Sequence, residues 1–365
     1  MTVWHVPEDA VNPYQHLLRD ALARQGIAVS FQDDPAQVCE QAARANGDPQ
    51  ILHLHWLPRG TFGPRNLFRL LRYGLAVRRF RRRGGTVVWT AHNLYSHELK
   101  NRGRERRLRR FLLGQCHGVI VHSPRAEQIV RHEFQVAPQQ RFAVIPHANV
   151  TDYYPHSMNR AEALQRLGLS SDQRIVAFVG NIRPYKGVPE LIQAFRAAAS
   201  PAARLVIAGR TFDAQVARTV AELVSADRLI VFRPGLIEES EFQVYLKAAD
   251  VVALPYLNIL TSGAAVLAMS FGKACIAPLS GCLPDILSQQ PELLYDPASS
   301  GSLAATLARA LGHPEVTQAC GARNLQRAAQ WTWDEAGRQT AEFYRRCRAA
   351  AGTAARPMTP PEVSP

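Results

Sequence analysis

The chain has 365 residues and a hydrophobic content of 47%, enough for two ordinary domains that each bury a core, which argues against a disordered or fibrous protein. Its formal net charge is +13, and this charge would attract both an anionic membrane surface and nucleic acid. The six cysteines are scattered without a C-x-x-C pair, so the sequence predicts neither a disulfide framework nor a zinc site.

The N-terminus runs directly into strand-like sequence and lacks the pattern of a signal peptide. No segment approaches the roughly 20 uninterrupted apolar residues that a membrane-spanning helix needs. We therefore expect a cytoplasmic protein, with a position at the inner face of the plasma membrane as a further expectation from its basic charge.

Short apolar runs alternate with amphipathic helical stretches through the first half of the chain. The runs lie at residues 2–6, 51–54, 86–90, 118–122 and 142–145. This alternation predicts a parallel sheet with crossover helices in a first domain of residues 1–150. In such sheets ligands bind beyond the carboxyl ends of the strands, so the loops that follow the strands are the candidate sites.

Arginines are concentrated in one predicted helix of this half. They are Arg65, Arg69, Arg72, Arg78, Arg79, Arg81, Arg82 and Arg83, interleaved with apolar residues, and a second basic run follows at 102–110. Two interpretations stay open. The helix either lies in an anionic membrane surface or turns its apolar stripe to its own core and its arginines to solvent.

The second half repeats the alternation after a polar stretch near residue 150. Apolar runs lie at residues 174–180, 203–209, 229–232, 251–255 and 274–278. They predict a second doubly wound sheet in a domain of residues 151–348, closed by a helix at 333–347. The tail at 349–365 is rich in Ala, Pro and Thr and is predicted to be disordered.

Two cations lie three positions apart in the loop that follows the run at 174–180. Arg183 offers a planar fork and Lys186 a point charge, and Pro184 and Gly187 constrain the loop. Cations in this position can straddle a diphosphate. In glycosyl transfer the departing diphosphate gains negative charge, so the pair would lower the barrier without a metal.

The segment 178–187 is similar to the signature of GT-B glycosyltransferases, and further resemblance lies at residues 52–56, 90–98 and 254–273. The set most resembles the inverting β-mannosyltransferases of xanthan-type exopolysaccharide assembly, which use GDP-mannose. This resemblance implies two facing Rossmann-like domains with a cleft between them. It also implies that Arg183 and Lys186 contact the diphosphate of a nucleoside diphosphate sugar, a co-substrate, so that no separate cofactor is expected.

The second donor loop departs from the retaining members of this superfamily, which carry two glutamates eight positions apart. The matching positions are Ile259 and Leu267, and their apolar side chains favour an inverting enzyme. The remaining polar groups stand at a predicted helix start, where free N–H groups bind anions or a side chain caps the helix. These groups are Thr261, Ser262 and Gly263 for the diphosphate and Asn258 for the donor sugar or nucleoside.

Weaker predictions concern the rest of the donor. Gly235 and Leu236 follow a strand where relatives hold the nucleobase, Arg210 flanks them, and Tyr256 begins the second donor loop.

An inverting displacement needs one general base near the acceptor hydroxyl. Glu98, His97 and His92 are the candidates, because they follow the run at 86–90, and Asp9 or Glu8 is an alternative. The predicted acceptor-binding residues lie at or after the ends of the neighbouring strands and are His53, His55, Trp56, Asn12 and Tyr14. For His53, His55 and Trp56, packing of the strand end against its neighbour is an equally good interpretation. The chain has no Asp-x-Asp sequence, so no metal site is predicted.

Three other classes of protein share part of this pattern. A dinucleotide-dependent oxidoreductase is disfavoured because residues 7–12 contain no G-x-G-x-x-G. A GT-B epimerase that acts on a nucleotide sugar alone is one alternative. A basic nucleic-acid-binding protein is the other, but no recognisable module supports it, so nucleic acid is not an expected partner; the sequence does not indicate an oligomeric state.

Overall fold

The computed structural model describes residues 1–9, 12–44, 50–57, 64–96, 101–198, 200–225 and 227–354. The chain divides into two compact units, one of Met1–Pro146 with Trp333–Pro365 and one of His147–Thr332. Each unit contains a six-stranded sheet with helices between successive strands. The predicted α/β class with two doubly wound parallel sheets is confirmed.

The first unit contains a sheet in which all neighbouring strands are parallel, in the order β2-β1-β3-β4-β5-β6. Its strands are β1 (Thr2–Val6), β2 (Ala28–Phe31), β3 (Gln50–Leu54), β4 (Thr86–Thr90), β5 (Gly118–Val121) and β6 (Arg141–Val144). Both β3 and β4 are buried along their whole length, as expected for central strands covered on two faces.

Helices connect these strands, and local sequence signals set where they begin. They are α1 (Pro13–Arg24), α2 (Pro35–Arg44), α3 (Pro64–Arg82), α4 (Arg102–Leu113) and α5 (Pro124–Phe134). Asn12 caps α1 by accepting from the Tyr14 N–H at 3.1 Å, and Ser123 caps α5 by accepting from the Ala126 N–H at 3.1 Å. A proline at the first position preorganises both helices.

The C-terminal helix (Trp333–Ala354) belongs to the first unit, although the sequence pattern placed it at the end of the second domain. Its Gly337 packs directly on Ala21 of α1, where a Cβ atom would crowd the Ala21 methyl group. The helix continues to Ala354, so residues 349–354 are helical and not part of a disordered tail. Residues 355–365 of the predicted tail lie outside the described residues.

The second unit contains the parallel sheet β12-β11-β10-β7-β8-β9. Its strands are β7 (Arg174–Val179), β8 (Ala203–Gly209), β9 (Ile230–Pro234), β10 (Val251–Ala253), β11 (Ala274–Pro278) and β12 (Leu294–Tyr295). Its helices are α6 (Arg160–Leu167), α7 (Val188–Ala198), α8 (Ala214–Val224), α9 (Phe242–Ala248), α10 (Gly263–Ser270), α11 (Leu283–Ile286), α12 (Ser302–Gly312) and α13 (Pro314–Ala329). Phe178, Phe195 and Ile207 lie at the centre of its core.

The strand order of each sheet reverses direction at one point. In the first unit, β2 lies on one side of β1 and β3 on the other. In the second unit, β8 lies on one side of β7, and the chain later returns to place β10 on the other side. Connections on opposite sides leave a crevice at the carboxyl ends of the two strands that meet at a reversal. The β1/β3 and β7/β10 strand ends are therefore the places where each unit can bind a ligand.

Candidate active site

The two predicted donor loops of the second unit meet at the β7/β10 reversal. The Leu257 N–H donates to the Tyr185 carbonyl oxygen at 2.9 Å, which joins the loop after β10 to the loop after β7. Gly187 ends a short 3-10 helix (Pro184–Lys186) with φ +67°, and a Cβ atom there would overlap the Pro255 carbonyl oxygen. Only glycine permits both the backbone conformation and this approach.

Lys186 lies over an aromatic ring at this junction. Its Nζ is 4.1 Å from the centroid of the Tyr256 ring, and Tyr256 itself is buried. Burial lowers the pKa of Lys186, and the neighbouring Arg183 guanidinium lowers it further, while no carboxylate of the described residues contributes. The ammonium group thus lies against a ring face, and no carboxylate of the described residues neutralises it.

Arg183 is placed by a second aromatic side chain, Phe212, which the sequence analysis did not identify. The Arg183 guanidinium carbon is 4.2 Å and that of Arg210 is 4.9 Å from the centroid of the Phe212 ring. The backbone holds the two arginines at neighbouring strand ends, because the Ile182 N–H donates to the Arg210 carbonyl oxygen at 2.8 Å. Arg210 therefore joins Arg183 and Lys186 in one cationic group. The sequence analysis had placed Arg210 only beside the nucleoside.

The start of α10 lies at the same junction, because the Ser262 hydroxyl donates to the Tyr256 hydroxyl at 3.3 Å. The Ser262 hydroxyl accepts from the Ala265 N–H at 3.1 Å, so its cap role is observed directly. Thr261 has a buried hydroxyl without a hydrogen-bond partner among the described residues. His147, which the sequence analysis also missed, has its Nε2 3.7 Å from the position of a Cβ atom on Gly263. Its only sequence signal was its place just after β6 and Pro146.

The ends of β8 and β9 approach each other through glycines. Gly209 adopts φ +151°, where a Cβ atom would overlap the Gly180 carbonyl oxygen, and the Gly235 N–H donates to the Gly209 carbonyl oxygen at 3.2 Å. Leu236 follows with an exposed side chain, and Asn258 is also exposed. The predicted nucleoside residues thus lie on open backbone beside the cationic group.

Five histidines gather at the β1/β3 reversal of the first unit: His5, His53, His55, His92 and His122. His92 is the most accessible of them, and its Nε2 lies 3.1 Å from the His55 Nδ1. The Trp56 ring stacks on His92 at 4.8 Å, and the Tyr14 ring meets it edge-on at 4.8 Å. The structure therefore brings four of the predicted acceptor and catalytic residues together.

His53 has a different position from these four. It is fully buried, with Nδ1 2.6 Å from the Tyr344 hydroxyl and Nε2 2.7 Å from the Thr90 hydroxyl. Both ring nitrogens are thus used inside the core, which is the packing interpretation of this strand end. Asn12 likewise serves as the cap of α1.

Among the three predicted catalytic residues, His97 and Glu98 lie outside the described residues. The loop that leads to them is anchored by Glu105 of α4, whose carboxylate accepts from the Ser96 N–H at 2.6 Å and from the Ser96 hydroxyl at 2.8 Å. Arg109 donates to the same carboxylate at 2.7 Å, and both side chains of this ion pair are buried. A charged pair inside the first unit thus fixes the path of the chain after β4.

His5, His53 and His55 form the one group of described residues whose ligand atoms, all within 4.8 Å of one another, could hold a metal ion. Both ring nitrogens of His5 lack hydrogen-bond partners among the described residues, whereas both nitrogens of His53 are engaged. A metal here would require His53 to release Thr90 or Tyr344. The absence of a metal requirement remains a prediction.

Burial keeps these imidazoles neutral. It lowers the pKa of His5 to about 3. Burial also holds the pKa values of His53 and His55 well below the ordinary range, and the neighbouring histidines lower them further. These three rings are therefore weak bases at neutral pH, and the contact of His55 with His92 positions the ring that the sequence predicted as a candidate base.

Comparison with known proteins agrees with this architecture. Residues 173–313 match the family model for glycosyl transferases group 1, and residues 12–152 match that for glycosyltransferase family 4. The chain is a GT-B glycosyltransferase. Sucrose-phosphate synthase from Thermosynechococcus elongatus shares its fold with a TM-score of 0.77 and 22% identity, over 96% of this chain and 100% of that one.

Two relatives of this glycosyltransferase have different acceptors in their names. One is D-inositol 3-phosphate glycosyltransferase of Corynebacterium glutamicum, 26% identical over 360 residues, or 92% of this chain and 80% of the relative. The other is GDP-mannose:glycolipid 4-beta-D-mannosyltransferase of Xanthomonas campestris pv. campestris, 28% identical over 234 residues, or 63% of this chain and 61% of the relative.

We predict that Glu105→Ala destabilises the first unit of the glycosyltransferase by about 3–5 kcal/mol, because Arg109 is left as a buried charge without its anion. Urea unfolding followed by circular dichroism measures this change. The double variant Glu105→Leu/Arg109→Met removes both charges and should lose less stability than the single variant. Unfolding of Glu105→Ala at the wild-type urea concentration would contradict the role given to the pair.

We also predict that acid weakens the fold through His5. Its pKa is about 3 in the folded chain and ordinarily 6.5, so the unfolded chain binds the proton first as the pH falls. Stability from the neutral ring is therefore complete above pH 6.5 and is lost between pH 6.5 and about 3, by about 1.4 kcal/mol per pH unit.

The variant His5→Phe should reduce the pH dependence of the unfolding free energy by that amount between these limits. Replacement of the exposed His132 by Asn is the matched control and should leave the dependence unchanged. Equal pH dependence in wild type and His5→Phe would show that His5 is not held neutral by the fold.

Proposed function

We propose that this glycosyltransferase transfers a hexose, with mannose favoured, from a nucleoside diphosphate sugar to a saccharide or lipid-linked saccharide acceptor in exopolysaccharide or other glycan synthesis. The observation that carries the proposal is the cationic group of Arg183, Lys186 and Arg210 beside the start of α10. The GDP-mannose in the name of the Xanthomonas relative, together with the resemblance of the motifs, supports mannose as the sugar.

In the proposed reaction the nucleoside diphosphate leaves the anomeric carbon and gains negative charge. Lys186 meets that charge from a partly buried position, where electrostatic attraction is stronger than in bulk water. Arg183 adds a planar fork to the same anion. The first N–H groups of α10 point along the helix axis and contribute the positive end of the helix dipole. These groups together provide the charge that a metal ion supplies in other transferases.

Apolar side chains at two positions support a single inverting displacement. Ile259 and Leu267 offer no oxygen that could stabilise a developing charge on the sugar. A single displacement then needs a base for the acceptor hydroxyl, and His92, His97 and Glu98 are the residues proposed for it. His92 is held by His55 and flanked by the rings of Trp56 and Tyr14, which give a sugar a flat apolar surface.

An inositol phosphate is the second candidate acceptor. The Corynebacterium relative carries this acceptor in its name and aligns with 92% of this chain. A GT-B epimerase, by contrast, would consume the nucleotide sugar without any acceptor. Release of free nucleoside diphosphate that depends on acceptor therefore separates transfer from epimerisation.

We predict that Arg183→Ala and Lys186→Ala each lower kcat/KM by at least about 100-fold, because each removes a charged group that stabilises the leaving diphosphate. Release of nucleoside diphosphate in the presence of acceptor measures the rate, and thermal unfolding checks the fold. Arg218→Ala, at an exposed position of α8, is the matched control and should retain wild-type turnover. Normal turnover in both loop variants would refute the proposed diphosphate site.

We predict that GDP-mannose stabilises the enzyme most among a panel of nucleotide sugars. A ligand at about 100 times its Kd adds about 2.7 kcal/mol to the unfolding free energy, which thermal unfolding detects. Product formed with the best donor should have the opposite anomeric configuration to the donor, as read by NMR. Retained configuration would refute the single displacement, and stronger stabilisation by another nucleotide sugar would replace mannose in the proposal.

A further inference from the structure

Helix α3 carries apolar residues on two different faces. Tyr73, Ala76, Val77 and Phe80 are buried against the first unit and supply the packing that this helix needs. Three more large apolar side chains point to solvent at spacings of three and four: Phe68 is 69% exposed, Leu71 57% and Leu75 63%. These three side chains therefore contribute little to the core and need another explanation.

The neighbouring helix α4 extends this exposed face. Phe111 is 43% exposed, and its ring lies beside Gly74, where a Cβ atom would come within 2.9 Å of Cε1. Phe68, Leu71, Leu75 and Phe111 are called the apolar patch below. Contiguous exposed apolar side chains of this size are uncommon on soluble proteins and mark surfaces that bind a partner.

Arginines continue both helices beyond the apolar patch. Arg78 and Arg82 follow Leu75 by one and two turns on α3, and Arg107 and Arg110 precede Phe111 on α4; these four are called the basic rim. They are exposed, and none of them forms a salt bridge with any other described residue. Arg72 and Arg102 of the same helices do have carboxylate partners, in Asp34 and Glu133. The charge of the rim is therefore not neutralised by any carboxylate of the described residues.

We propose that the apolar patch and the basic rim dock the first unit on an anionic bilayer surface. Apolar side chains of a surface helix enter the headgroup boundary, and arginines beside them meet anionic headgroups. Among the described helices none has the length and apolar content needed to span a bilayer, so contact through these helices is confined to the surface. The surface belongs to the first unit and the proposed donor site to the second, and the proposal does not depend on the proposed function.

A membrane fits this surface better than nucleic acid does. Nucleic acid would be bound by phosphate contacts to the arginines and by stacking on exposed aromatic rings. Two of the four patch residues, Leu71 and Leu75, are aliphatic and cannot stack on bases, whereas a bilayer would remove all four from water. Charge alone would leave the exposed patch without a role.

Vesicle co-sedimentation of the full chain tests this proposal. Wild type should bind vesicles of phosphatidylcholine mixed with phosphatidylglycerol, should bind pure phosphatidylcholine much more weakly, and should be released as sodium chloride is raised. Phe68→Ser/Leu71→Ser/Leu75→Ser should lower binding by at least about tenfold. Arg78→Gln/Arg82→Gln should lower it by roughly 30-fold, about fivefold for each arginine.

Arg218→Gln/Arg228→Gln removes the same charge from exposed positions of the second unit and is the matched control; it should bind vesicles as wild type does. Turnover of a water-soluble acceptor should be unchanged in all three variants, which separates docking from catalysis. Wild-type binding by the triple serine variant would overturn the proposal, as would equal binding to both kinds of vesicle. Salt-sensitive binding to an RNA duplex that only the arginine variant loses, with vesicle binding absent, would assign the surface to nucleic acid.

Discussion

The second unit of this glycosyltransferase depends on how closely the loops after β7 and β10 approach each other. Gly187 lies against the Pro255 carbonyl, and this approach sets the Lys186 ammonium group over the Tyr256 ring. A lysine on a flexible loop would be surrounded by water and would lose rotamer freedom when it bound an anion. Here the ring face and the fixed backbone hold the charge in place before any ligand arrives, so little reorganisation accompanies binding.

Burial acts on a different kind of titratable side chain in each unit. In the second unit burial lowers the pKa of Lys186, and no carboxylate of the described residues offsets this effect, so an anionic ligand would favour the charged form. In the first unit it affects imidazoles, which give up their charge when buried; the pKa of His5 falls to about 3. The first unit therefore presents neutral rings, whereas the second presents positively charged side chains. A sugar hydroxyl and a diphosphate call for these two environments respectively.

The fold class and the location of both sites at strand ends could be predicted from sequence, because apolar runs alternating with helices allow few arrangements other than a parallel sheet. Arg183 and Lys186 were identifiable since they directly follow a strand. Phe212 and His147 were not, because each comes from a different strand end and its relation to the cations exists only after the sheet is assembled. For the arginine-rich helix, the sequence also did not show that Tyr73 is buried while Leu75 is exposed, because this depends on how the helix packs on its unit.

Local signals by themselves determined where helices and strands form; examples are Asn12 before Pro13 and the spacing of apolar residues. They therefore also determined which loops contain the candidate site residues. Long-range packing decided the rest. The C-terminal helix joined the first unit because Gly337 fits against Ala21, and His53 became part of the core because Tyr344 and Thr90 satisfy both its nitrogens. The partners in these contacts are tens to hundreds of residues apart, and a sequence pattern read in short windows contains no record of them.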